Sequence, residues 1–342
     1  MNKHGGYYGN NKEMIDLSIN INPLGFGDHI QDKIINSLQD ITKYPEITGE
    51  TGVKSISKYL GIKEENIILG NGGIDLIYLF ARSLKLNSAL IITPTFNEYS
   101  RALKVAGTDV HEYVLDYKDG FRLDADNLIK EIKKLNVKGV FLCNPCNPTG
   151  KYIERDIISY IMSSCKDTIF FLDESFSEFA NENEEIYNIN ENVAILRSMT
   201  KFYSIPGLRL GFLYGNRGII KKMEEHLVPW SINSISLSLV DELLNDVEFK
   251  RNSYKENIKL LNYAVELLKE IDNVTVYESR SNFLLLKHEK YSSDELNHLL
   301  NNLNLNIRTC NDFIGLDANF FRICLKGKRE IEYLQKCLME IS

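Results

Sequence analysis

An α/β fold carrying a mostly parallel sheet is what this sequence predicts, and three observations predict it. Short apolar runs alternate with stretches of helical period between residues 67 and 214. Residue types that carry chemistry recur at the ends of those runs, where open α/β sheets bind their ligands. From about residue 236 the alternation gives way to a long helical stretch and scattered short strands, the mark of a second, smaller α+β unit.

The elements follow in order. A short strand at 67–69 (IIL) precedes helical period at 73–86 (GIDLIYLFARSLKL). Next come a strand at 88–92 (SALII), a helix at 97–106, a strand at 109–114 (DVHEYV) and a helix at 124–135. A strand at 138–143 (KGVFLC), a helix at 153–165 and strands at 168–172 (TIFFL), 193–198 (VAILRS) and 210–214 (LGFLY) complete the series. Apolar runs this short, set between amphipathic helices, belong to strands covered on both faces. The Asn-rich stretch 181–192 reads as a solvated loop. Beyond it lie a helical stretch at 236–270, strands at 274–277 and 283–287, and a helix at 293–303. Strands at 305–309 and 320–324 and a helix at 329–341 close the chain. The first 45 residues do not start the sheet pattern and are expected to pack with the C-terminal part. The expectation is a large domain at 46–235 and a small discontinuous domain from 1–45 plus 236–342.

Composition narrows the function classes. The 342 residues are 44% hydrophobic and 25% charged, enough for a large core and too apolar for a disordered chain. Forty basic against 47 acidic residues leave a net charge of −7, with no basic footprint for nucleic acid. No apolar run approaches the roughly 18–20 residues of a membrane span. No apolar stretch follows Met1 to Gly6, so no signal peptide and a cytoplasmic location are expected. The six cysteines are then read as reduced thiols. Cys143 and Cys146 have zinc-like spacing but no second close pair follows, so they are read as packing and no metal is expected.

Six constellations carry chemistry. Gly70-Asn71-Gly72-Gly73, between a strand and a helix, is either a tight turn or an anion cradle of helix N–H groups. Phe96, in Pro94-Thr95-Phe96, is either a cap on the core or a ring that stacks on a planar ligand. Asn144-Pro145-Cys146-Asn147-Pro148-Thr149-Gly150 holds two Asn-Pro steps that stiffen the backbone around an amide side chain. Asp173, after TIFFL, is a carboxylate at a buried strand end and needs a cation: a structural ion pair or a protonated ring nitrogen. Lys201 follows Ser198-Met199-Thr200 and precedes Arg209; a partly buried lysine loses its proton readily and can form a Schiff base. Arg308 and Arg322 lie in apolar strands, where a guanidinium is costly unless it meets an anion. Five of these sets fall at successive strand ends. A phosphate cradle, a stacking ring, an amide, a carboxylate and a lysine together form the inventory for binding pyridoxal 5′-phosphate.

With those motifs in place, the chain resembles the fold-type I pyridoxal-phosphate enzymes of the class I and II aminotransferase superfamily nearly end to end. The order NGG, PTF, NPCNPTG, DESF, SMTKFYSIPGLRLGF and FFRI carries the likeness. Within that superfamily it is most similar to the threonine-phosphate decarboxylase and histidinol-phosphate aminotransferase groups. His4-Gly5-Gly6, the Ser18–Gly25 segment (SINI NPLG) and Thr200 before Lys201 resemble the decarboxylase group. The resemblance implies an aspartate aminotransferase-like fold and a homodimer with shared sites. It implies that Lys201 forms the aldimine with the cofactor, Asp173 pairs with its ring nitrogen, Asn147 bonds its ring oxygen and Phe96 stacks on it. Gly72, Gly73, Ser198, Thr200 and Arg209 would hold its phosphate, with Tyr44 reaching over from the other subunit. Arg322, with Asn22 beside it, would clamp a substrate carboxylate, and Arg308, aided by His4, a substrate phosphate. Phe176 stands where many relatives have a tyrosine. The implied reaction is decarboxylation of L-threonine O-3-phosphate for cobalamin synthesis. Its alternatives are transamination of histidinol phosphate with 2-oxoglutarate and decarboxylation of a related substrate such as phosphoserine.

Overall fold

A computed structural model of the chain describes residues 4–182, 186–187, 189 and 192–341. Seven strands form one sheet in the order Ile67–Asn71, Leu210–Gly215, Val193–Ser198, Ile169–Asp173, Gly139–Cys143, Ser88–Thr93 and Asp109–Val114. Only Leu210–Gly215 runs against its two neighbours. The other six strands are therefore codirectional, and their carboxyl ends share one edge. That is the mostly parallel sheet that the apolar runs predict, with helices on both faces.

Aromatic rings fill one face of the sheet. Phe80 meets Phe141 and Phe171 at centroid distances of 5.6 and 4.8 Å, and Phe141 stacks on Phe171 at 4.9 Å. Each is fully buried, and burial of such a side chain contributes about 1.5–3 kcal/mol. The sheet edge is thus fixed by packing before any site residue is considered.

The second unit holds an antiparallel sheet ordered Arg308–Thr309, Phe320–Cys324, Phe283–His288 and Val274–Val276. The N-terminal segment joins it: Ile15–Asp16 pairs with Leu305–Asn306, and Leu17 enters its core. Packing of the large core runs past residues 46–235, because Ile30 and Leu237, Leu239, Val240, Leu243 and Leu244 sit in it.

Three expectations differ from the structure. The stretch 236–270 is two helices, Ser234–Asn245 and Val247–Leu268, parted at Asp246, whose side chain accepts from the Phe249 N–H at 2.9 Å. The stretch 305–309 is two strands in two sheets, because the Ile307 N–H bonds the Asn297 side chain instead of a neighbouring strand. In the Asn-rich stretch, residues 183–185, 188, 190 and 191 lie outside the described residues, while Tyr187 and Asn192 are buried. Asn192 is held inside by its amide, which donates to the Thr168 carbonyl at 3.2 Å.

Candidate active site

Two adjoining cavities open along the carboxyl edge of the large sheet. The deeper has a volume of about 150 Å³ and is lined by Gly73, Phe96, Asn147, Asp173, Thr200, Lys201 and Arg209, among others. The outer has a volume of about 530 Å³ and shares Phe96, Asn147, Thr200, Lys201 and Arg209. It adds His4, Arg308 and Arg322.

The deeper cavity is built at strand ends. Gly72 takes φ +79° between Ile67–Asn71 and the helix Gly73–Leu84. A Cβ there would lie 2.5 Å from Arg209 Nη2, so only glycine lets the guanidinium settle against the turn. The helix has no side-chain cap, which leaves its first N–H groups for an anion. Ser198 and Thr200 hydroxyls lie 2.9 Å apart, and Lys201 Nζ donates to them at 3.1 and 3.3 Å. Burial lowers the proton affinity of Lys201, Asp173 raises it and Arg209 lowers it again; the result lies below the ordinary lysine value. A lowered lysine is a better nucleophile at neutral pH.

Asp173 is 4% exposed at the end of its strand. Its Oδ1 accepts the Ser175 N–H at 2.8 Å, and its Oδ2 accepts the Tyr99 hydroxyl at 2.5 Å. No cation lies within ion-pair distance of it among the described residues. A buried carboxylate in that state calls for a cationic ligand.

Arg322 is the reverse case. It is 5% exposed, donates to the Ser18 carbonyl at 2.6 Å and to Asn147 Oδ1, and meets no carboxylate among the described residues. Its Nε has no partner. Burial pulls its pKa down to about 10, which still leaves it cationic at neutral pH. It faces Arg308 directly across the antiparallel pair. Two like charges so placed repel unless anions separate them. Arg308 has one already, Asp312 Oδ2 at 2.9 Å, and donates also to the Thr309 carbonyl.

The N-terminal segment closes the outer cavity. Gly5 packs so close that a Cβ would lie 2.2 Å from the Ser18 carbonyl oxygen. His4 Nε2 is 3.3 Å from Glu98 Oε1, and its ring is 6.0 Å from Phe96.

The residues expected from sequence thus converge, Gly72 and Ser198 just behind the lining against Arg209 and Lys201, with two exceptions. Tyr44 is 85% exposed, packs at 5.2 Å on Trp230 and lines neither cavity. Asn22 points elsewhere: its amide donates to the Phe202 carbonyl and Ser253 Oγ, each at 2.8 Å. Asn20 lines the outer cavity instead, 7% exposed, with its buried Oδ1 unpartnered. The reason is local. An Ile21 N–H bond to the Ile19 carbonyl at 3.1 Å makes a tight turn that breaks extended alternation, so Asn20 and Asn22 face different ways. Sequence reasoning also passed over Tyr99, whose only signal is a polar aromatic three residues after Phe96 at a strand end. Phe176 lines both cavities, so no hydroxyl stands there.

The residues fit pyridoxal 5′-phosphate: a glycine cradle with hydroxyls and Arg209 for a phosphate, an amine, and a buried carboxylate lacking a cation. Comparison with known proteins agrees. The threonine-phosphate decarboxylase of Salmonella typhimurium is 31% identical over 96% of this chain and 91% of its own. The solved histidinol-phosphate aminotransferase from Clostridium acetobutylicum superposes with a TM-score of 0.88 at 29% identity, over 95% of this chain and 98% of its own. The L-threonine-O-3-phosphate decarboxylase from Porphyromonas gingivalis gives 0.86 at 26% identity, over 95% and 98%. A sequence model of the family described as aminotransferase class I and II matches residues 12–338. The chain therefore belongs to the class I and II aminotransferase family, and its cofactor is pyridoxal 5′-phosphate.

Proposed function

We propose that the protein decarboxylates L-threonine O-3-phosphate to (R)-1-amino-2-propanol O-phosphate, the amino alcohol of the cobalamin nucleotide loop. The observation that carries this reading is the meeting of His4, Arg308 and Arg322 with Lys201 around one cavity. An amine site flanked by several cationic or donor groups suits a substrate with both a carboxylate and a phosphate. The relative from Salmonella supports it.

Pyridoxal 5′-phosphate supplies an electron sink for the carbanion left when a bond at the substrate Cα breaks. The protein does the rest. Lys201 holds the cofactor and carries protons to or from Cα. Asp173 keeps the ring nitrogen protonated. Gly72, Gly73, Ser198, Thr200 and Arg209 hold the phosphate, Asn147 the ring oxygen and Phe96 the ring face. Arg322 grips the carboxylate and so decides which bond at Cα is presented for cleavage. Arg308, His4 and Asn20 take the substrate phosphate end, with Asp312 moderating the charge of Arg308.

Tyr44 reaches the cofactor of a second copy in a homodimer. Its surroundings support that: Leu38, Ile41 and Ile47 are exposed near it in the chain, and Trp230, on which it packs, is exposed too; such apolar surface is unusual on a monomer. We also propose the division into a large domain of 46–235 and a small one from 1–45 plus 236–342, with Ile30, Leu237 and Leu244 packing back onto the large core.

A second reading, transamination of histidinol phosphate with 2-oxoglutarate, draws on the 530 Å³ volume of the outer cavity, which suits a longer substrate. One incubation separates them. Purified yellow protein with L-threonine O-3-phosphate and no keto acid is expected to release CO2 and the amine. No CO2, together with glutamate formed from amino-acceptor exchange between histidinol phosphate and 2-oxoglutarate in reverse assay, overturns the decarboxylase reading.

A further inference from the structure

We propose that the hydroxyl of Tyr99 is a positioning group for Asp173, fixing the carboxylate that meets the cofactor ring nitrogen. The inference rests on the cofactor assignment and goes beyond it.

Asp173 could turn about its last side-chain bond, since one oxygen has only the Ser175 N–H. The Tyr99 hydroxyl takes the other oxygen at 2.5 Å, a short bond of the kind that a charged acceptor makes. Both oxygens are then tethered from the protein side, and the carboxylate presents one orientation to the deeper cavity. The tether is stiff because the Tyr99 ring cannot swing. It is 1% exposed, edge-on to Phe96 at 5.7 Å, and packed on Phe141 at 5.9 Å and Phe171 at 6.3 Å. The same ring thus braces Phe96 and aims a donor at Asp173. A phenylalanine would fill the space equally well. The hydroxyl's contribution is therefore separable from packing.

The phenol keeps its proton. Burial, then the adjacent Asp173 charge, hold its pKa well above the ordinary tyrosine value. The other titratable groups around Asp173 are Cys143, opposite it on the next strand, Cys146 behind that thiol, and Lys201 across the cavity. Cys143 is held protonated by its hydrogen bond with Cys146 and by burial. The Cys143 thiol thus stays neutral beside the carboxylate, while Cys146 is held below the ordinary thiol value by its hydrogen bond with Cys143.

Removing the Tyr99 donor takes away one of the two hydrogen bonds that the protein gives this carboxylate, so the charged form that meets the ring nitrogen is less well held. Binding of pyridoxal 5′-phosphate should then fail at a higher pH on the acid side. The experiment is titration of apoprotein with pyridoxal 5′-phosphate across pH, read by absorbance, for wild type, Tyr99→Phe, Asp173→Asn and the double variant. Tyr99→Phe is expected to weaken binding about tenfold at neutral pH and to move the acid limb up by roughly half a unit. In the Asp173→Asn background the same change is expected to alter affinity less than about twofold. Phe141→Leu serves as the packing variant: it loosens the Tyr99 ring but keeps the hydroxyl, and is expected to lower stability and to move the acid limb less than Tyr99→Phe does. Wild-type binding and acid limb in Tyr99→Phe, or full additivity with Asp173→Asn, overturn the assignment to Tyr99 alone. An acid limb that moves as far in Phe141→Leu as in Tyr99→Phe does the same. A wild-type protein that takes up no pyridoxal phosphate overturns the cofactor assignment as well.

Discussion

The two sides of the cavity are built differently. The inner side comes from the carboxyl ends of one sheet: Gly72, Phe96, Asn147, Asp173 and Lys201 follow five strands in chain order. Each is placed by the strand before it, and a buried strand between two helices has no freedom to slip its register. The outer side is gathered from residues 4, 18–20, 308 and 322, which meet only because a parallel pair at Ile15–Asp16 brings the N-terminus onto the small unit. The inner side needs one domain to fold. The outer side needs both sheets and the N-terminal segment to be in place together.

The two facing arginines sharpen the contrast. Arg322 bridges the sides, touching Asn147 from the inner set and Ser18 from the N-terminal segment, with no anion of its own among the described residues. Arg308 brings its anion with it in Asp312. An incoming carboxylate should therefore gain more from Arg322.

Breaking the inner side has the largest effect. Lys201→Ala should remove the yellow absorbance and lower turnover by at least about 10⁴-fold, while the melting temperature stays close to wild type. Turnover near wild type in that variant would refute the role of the amine. Next is Arg322→Ala, expected to cost about 2–4 kcal/mol in kcat/KM for the phosphorylated amino acid. Its affinity for pyridoxal phosphate should change little; equal losses of cofactor and substrate would erase the division between the two sides. Arg308→Ala should cost less, about 1–2 kcal/mol and chiefly in KM, because Asp312 already offsets its charge. A larger loss than in Arg322→Ala would reverse the ranking drawn from their partners.

The pH dependence tests the inner side without a mutation. Only the neutral amine of Lys201 attacks a carbonyl, and its pKa is lowered from 10.5, by burial first. The rate at which apoprotein captures pyridoxal phosphate should rise with pH and level off below pH 10.5. A rate still climbing at that pH would mean an ordinary, solvated lysine. The smallest expected effect is that of Tyr44→Phe. It should weaken cofactor binding by about 2–10-fold and leave the stability of the chain within about 0.5 kcal/mol. No change in cofactor affinity would leave the inner side complete within one chain.

Most of the inner side was legible in the sequence. A strand end is a local event: an apolar run stops, and the next polar residue must stand at the sheet edge. Asp173 after TIFFL and Lys201 after VAILRS could be read for that reason. Gly72 was legible because a positive-φ turn between strand and helix demands glycine. The outer side was legible only as resemblance. Nothing local separates Asn20 from Asn22; a single turn at Ile19–Ile21 decides which amide enters the cavity. Nor does the stretch 305–309 announce that Ile307 will bond Asn297 and split one strand between two sheets.

By itself the sequence determined the fold class, the order of the strands along the chain and the residue types waiting at their ends. Hydrophobic periodicity and chain direction suffice for those, because both act over a few residues. Tertiary structure alone decided that Tyr99 reaches Asp173, that Asp312 neutralises Arg308 while Arg322 has no anion among the described residues, and that Asn20 rather than Asn22 faces the cavity. Charge balance and hydrogen-bond satisfaction are settled between segments up to some 300 positions apart, such as Ser18 and Arg322, and no periodicity in the chain encodes such a meeting.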